Sequence, residues 1–187
     1  MYFNLTNDGS PPPNSECMKF STRLKNRTSS HQNTDVVFSQ MMVLAANRSF
    51  DPAGQAKIDL LKDTMKYGWR WICTPEHQGK LPMESAGMFL ERYYPNTHER
   101  LECCGELEYI GRAYVVLETT LRAVYFADSL SPMLYNKTYF EDLQELAPIF
   151  FVLKQRLDLM KLSEKEEGEI VSGIEKMHAD LKMAYRL

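Results

Sequence analysis

Long apolar runs are the first thing missing. No stretch of the 187 residues comes near the roughly 18 consecutive apolar positions that cross a bilayer, so no membrane contact is expected. Met1-Tyr-Phe-Asn-Leu leads into polar residues instead of an apolar h-region, which predicts a chain that is not exported and, by elimination, a cytoplasmic or nuclear one. The glycosylation acceptors at Asn4, Asn26, Asn47 and Asn136 should then be idle. Cysteine is scarce, at four, and in a reducing compartment thiols or metal ligands are expected before disulfides. No segment alternates with period two, which excludes a sheet. No 20–50-residue repeat excludes a solenoid. Nucleophile-elbow, phosphate-loop and dinucleotide glycine patterns are all missing, so no enzyme activity is expected.

What is there reads as helix. From Cys103 the apolar positions run Cys103, Leu107, Ile110, Tyr114, Leu117, Leu121 and Val124, in steps of four and three that mark one helix face. A second row, Tyr109, Ala113, Val116, Thr120, Ala123 and Ala127, is mostly small. Two adjacent stripes mean a helix covered on most sides. The fold class that follows is all-α: a single-domain bundle of about seven helices around a long central buried helix over 97–128. Thr97 is the expected cap of that helix, and Glu102, Glu106 and Glu108 form its acidic first turns.

Other elements carry start and stop signals. Asp35 is placed to cap a buried helix running through Asn47. Asp51-Pro52 opens the next, which should end at Tyr67 with Gly68 as a left-handed cap. Trp69 to Pro82 then reads as an irregular connector, and Pro82 to Tyr94 as a short helix. Thr138-x-x-Glu141 has capping-box spacing, and its helix runs to Ala147, where Pro148 must break or kink it. A helix from Ile149 to Met160 follows, with Phe150, Phe151, Leu153, Leu157 and Met160. Ser163-x-x-Glu166 repeats the box before a last helix striped with Ile170, Ile174, Met177, Leu181 and Ala184.

Charge divides the chain. Residues 1–34 carry four basic side chains against two acidic ones, whereas 35–187 carry 18 against 23. The first stretch, with Ser10-Pro-Pro-Pro and few large apolar residues, reads as a flexible, weakly basic tail, and the remainder as the globular domain. Lys19, Arg23, Lys25 and Arg27 could touch nucleic acid, with Trp69, Arg70 and Trp71 offering rings and a guanidinium to unstacked bases. The bland alternative makes those rings core and the Arg a snorkelling stem.

The sharpest chemical constellation is metal. Cys73-x3-His77 and His98-x4-Cys103, or x5 to Cys104, offer thiolates and imidazoles from two segments for a structural, tetrahedral zinc. The competing reading has the cysteines as small buried hydrophobes. Glu175-x-x-His178 has di-iron spacing, but only one copy exists, on what reads as a charged face. Leu107-x-x-x-Gly111-Arg112, before the apolar run Ala113 to Phe126, resembles the Gly-Arg start of the central helix in helical-bundle apoptosis regulators. No Trp directly precedes Gly111 and no later Trp-bearing helix start matches, so the likeness covers a short piece and identifies no family.

The expected function is a non-enzymatic helical interaction or assembly module that binds a protein partner or itself, with a homo-oligomer the natural form. The alternative is a small nucleic-acid-associated protein, of coat, nucleocapsid or regulatory type, using its basic arm and a structural zinc.

Overall fold

The computed structural model describes residues 19–27, 40, 42–73, 81, 84–94, 104–130, 132, 134 and 137–184. Among them are seven labelled helices and no strand: α1 (Phe20–Arg27), α2 (Pro52–Ile72), α3 (Glu84–Tyr93), α4 (Glu106–Ala127), α5 (Lys137–Asp142), α6 (Ala147–Leu159) and α7 (Glu164–Ala184). A 3-10 turn, Leu143–Leu146, joins α5 to α6, and residues 42–47 are also helical. The Asp35 cap lies outside the described residues.

Helix α4 is the axis. It touches α7 most extensively and also packs against α2, α5, α6 and the 3-10 turn. Its small-residue row (Tyr109, Ala113, Val116, Thr120, Ala123 and Ala127) is buried throughout. Its 22 residues span about 33 Å. The helix starts later than the apolar steps suggest: Cys104 and Gly105 are not helical, and Gly105 is the N-cap, with Glu106 and Glu108 in the first turn. Gly105 loses more backbone entropy in a helix than other residues do, so the boundary falls there. Thr97 and Cys103 lie outside the described residues.

Two glycines set the α4–α7 crossing. A Cβ on Gly111 would lie 2.0 Å from the Ile170 carbonyl oxygen, and one on Gly173 would lie 2.2 Å from that of Glu108. The helix backbones therefore touch. Beside this contact, Arg112 donates to Glu108 at 3.1 Å and Asp180 at 2.7 Å, while Lys176 reaches the other Glu108 oxygen at 2.7 Å. The Arg112 guanidinium also lies 4.7 Å from the Trp71 ring centre. Burial pushes the Glu108 carboxyl up, but Lys176 and Arg112 outweigh it and hold it below the ordinary range. Gly111-Arg112 here is a packing device.

Asp51 caps α2 as expected, accepting from the Gly54 N–H at 2.6 Å with Pro52 in the first turn. Gly68 does not end it. The helix continues to Ile72, because Trp69, Trp71 and Ile72 extend the buried stripe of Ile58, Leu61 and Met65. Gly68 instead admits α4, since a Cβ there would meet Val116 Cγ2 at 3.0 Å. Trp69 Nε1–H donates to Thr120 Oγ1 at 2.9 Å, and Thr120 donates to the Val116 carbonyl at 2.8 Å. Trp69 to Ile72, expected in the connector, are therefore helical, and residues 74–80 lie outside the described residues.

At α5, Lys137 is already helical, so Thr138 lies inside the helix and is not its cap. Pro148 acts as anticipated in kind: α5 tightens into the 3-10 turn, and α6 restarts at Ala147 with the proline in its first turn, where a missing N–H costs nothing. The second capping box forms, with Ser163 N–H and Oγ both 2.7 Å from Glu166 Oε2. His178 is buried on α7 and Glu175 is exposed, so the pair does not share a charged face.

The largest departure is near the start of the chain. Residues 20–27, expected within a flexible tail, form α1 packed on α6, with Phe20 and Leu24 buried. Ser21 N–H donates to Asp158 Oδ1 at 2.9 Å, and Arg23 pairs with Glu167. Burying two such side chains contributes about 1.5–3 kcal/mol each.

Candidate docking surface on helix α6

Helix α6 has two apolar faces. Ile149, Phe150, Leu153 and Leu157 point into the core. Pro148, Phe151, Val152, Gln155 and Leu159 are exposed and recur at steps of three and four, which places them within an arc of about 100°. Phe151 is 52 %, Val152 44 % and Leu159 84 % exposed, and no charged residue falls among them. An arc of that width is what an amphipathic helix ordinarily turns toward a core. Here one arc fills the core, and among the described residues nothing covers the other.

The edges of this stripe are fixed by ion pairs and by α1. Arg156 binds Glu106 of α4 at 2.9 Å on one side. On the other lie Lys154 and Asp158, the latter anchored to α1. Burial pushes the Asp158 carboxyl up, but the hydrogen bond from the Ser21 N–H, with Lys19 and Lys154 nearby, holds it below the ordinary range. Exposed Glu145 precedes the stripe and exposed Lys161 follows it. The other large exposed apolar side chains differ: Met88, Tyr125 and Met183 each stand alone on their helices, while Val43, Leu44 and Phe50 belong to the short 42–50 region. Single exposed apolar residues are ordinary, whereas on α6 they lie side by side along one face.

The residues picked out from sequence lie elsewhere. Cys73 ends α2, and Cys104 precedes the α4 cap; both are half-buried. His77, His98 and Cys103 lie outside the described residues, and among those described no group of three His, Cys, Asp or Glu side chains is placed to hold a metal. Burial pushes the Cys73 thiol up to about 12, so it keeps its proton at neutral pH.

Of the nucleic-acid candidates, Lys19 is exposed, Arg23 is paired with Glu167, and the side chains of Lys25 and Arg27 lie outside the description. Trp69 and Trp71 are buried, Trp71 between the Tyr109 ring and Arg112, so neither ring can stack on a base. Arg70 between them is half-buried.

The α6 stripe escapes sequence reading because Phe151 falls in one apolar set with Phe150, Leu153, Leu157 and Met160, and sequence does not separate the two faces. The signal available was the uncharged spacing Pro148, Phe151, Val152, Gln155, Leu159. No helix among the described residues is long and apolar enough to cross a membrane. Comparison with protein families, curated proteins and solved structures finds no match to this chain.

Proposed function

We propose that this chain is a helical protein-interaction module that docks a partner through the outer face of α6. One observation carries the reading: an uncharged stripe of Pro148, Phe151, Val152, Gln155 and Leu159 on a helix whose opposite face already fills the core. Leaving Phe151 and Leu159 in water forgoes part of the about 1.5–3 kcal/mol that full burial of each side chain would supply. A helix face of this kind takes another helix, read by anchors at i, i+3, i+4 and i+7.

The test places aspartate at both anchors, Phe151→Asp with Leu159→Asp, in the tagged full chain expressed in cells. The wild type is expected to elute from extract well above its 21.7 kDa monomer mass, and the variant at that mass with an unchanged circular-dichroism melt. A wild type that elutes as monomer, or a variant that keeps the larger form, overturns the reading.

Nucleic-acid binding through residues 1–34 draws less support. Arg23 is engaged within the protein, and the Trp rings are inside it.

A further inference from the structure

Helix α1 shows what the seat formed by α6 and the first turn of α7 accepts. We propose that α1 is a displaceable latch on that seat, and that the seat receives a basic amphipathic helix of another chain with alanine where α1 carries Ser21. The seat borders the outer α6 stripe through Asp158 and is a separate surface from it.

The seated helix defines the chemistry. Phe20 and Leu24, four residues apart, are both buried, so the seat takes two bulky apolar anchors at i and i+4. The body answers the polar side of α1 with carboxylates. Asp158 Oδ1 accepts from the Ser21 N–H at 2.9 Å, which caps the helix from outside. Glu167, whose side chain is 13 % exposed, pairs with Arg23. A seat with one carboxylate at the helix start and another against a cation selects a basic helix over an acidic one.

Two features make α1 a poor permanent occupant. Its eight residues are well short of the roughly 12–15 at which an isolated helix becomes even marginal in water. Helix α1 therefore orders as it docks, and the cost of ordering weakens its hold. Ser21 weakens it further. The residue is 3 % exposed, and among the described residues its hydroxyl oxygen has no hydrogen-bond partner. Docking strips water from that hydroxyl without replacing it, whereas the released arm regains it. A helix with alanine at this place keeps the anchors and the cation, sheds the unpaired hydroxyl and gains helix propensity. Residue for residue it outbinds α1, against the effective concentration, on the order of millimolar, that tethering gives α1.

Fluorescence anisotropy of the purified full chain tests this, with a labelled peptide of residues 18–29 carrying Ser21→Ala. Wild type should bind the peptide weakly, because α1 holds the seat. Leu24→Asp and, separately, Arg23→Glu in the chain loosen α1, and each should bind the peptide about tenfold more tightly or better. Arg23→Glu alters a partly exposed side chain, so it keeps the comparison open should Leu24→Asp melt early. Adding Glu167→Lys to Leu24→Asp should cost about tenfold, and a peptide with Arg23→Glu should recover it. A peptide that retains Ser21 should bind about tenfold more weakly than the alanine form.

Four results overturn the inference. They are no binding to either loosened chain at several hundred micromolar, equal binding to wild type and loosened chains, a Glu167→Lys loss that the reversed peptide does not recover, and equal affinity of the serine and alanine peptides.

Discussion

At the scale of single residues, the glycine crossing of α4 and α7 is a constraint between helices that alanine would break. A methyl group at Gly111 or Gly173 would fall 2.0 or 2.2 Å from a carbonyl oxygen of the facing helix, and backbone cannot swing aside as a side chain does. Gly111→Ala and Gly173→Ala should therefore each destabilise the fold by about 1–3 kcal/mol. Gly87 and Gly168 are also helical, but a Cβ at either meets nothing within 4 Å, so alanine there should gain up to about 1 kcal/mol from propensity alone. Thermal melts of the four variants check the contrast, and equal losses at all four would refute the close crossing. The thiols offer a second check. Burial pushes the Cys73 thiol up to about 12, and only the thiolate is a good nucleophile. Iodoacetamide at pH 7.5 should then modify Cys73 far more slowly than a free cysteine in a peptide, as read by peptide mass spectrometry.

At the scale of elements, α1 is an arm converted into part of the core. Its attachment rests on Phe20, Leu24 and the Ser21–Asp158 hydrogen bond. Leu24→Asp should release it, so that trypsin cleaves after Lys19 and Arg23 well before the rest of the chain; resistance equal to wild type would contradict the attachment. Sequence could not announce α1, because two apolar residues four apart are too few to establish a period. Other elements were open to reading. Asp51-Pro52 and Ser163-x-x-Glu166 are local capping chemistry, decided by neighbours in the chain, and both form. Gly68 carried the wrong message because the same residue serves as a helix cap or as room for a neighbouring helix, and only tertiary contact with Val116 decides between them. The outer face of α6 was hidden for a related reason: an apolar position in the sequence does not say which apolar surface will find a partner within the chain.

At the scale of the whole molecule, the bundle is joined by a few carboxylates that also set its response to acid. Asp158 ties α6 to α1, and Glu108 ties α4 to α7. Both carboxyls are held below their ordinary range in the fold. Each therefore binds its proton less readily when folded than when unfolded; its contribution is complete above the unfolded value near 4 and is lost as pH falls through the lower folded value. The melting temperature should hold level from pH 7 to about 5 and fall below about 4. In Glu108→Gln, where this carboxylate no longer titrates, the fall should be shallower, and an identical acid profile would argue against its role. The claim on which the functional account depends is that the outer face of α6 meets a protein. A photo-reactive phenylalanine analogue at residue 159 tests it most directly, with the same analogue at residue 183 as the control. Leu159 and Met183 are similarly exposed, at 84 % and 72 %, but only Leu159 belongs to a stripe. Illumination in cells should give a discrete higher-mass adduct from position 159 and little from 183; equal labelling at the two positions, or none at 159, would contradict the account.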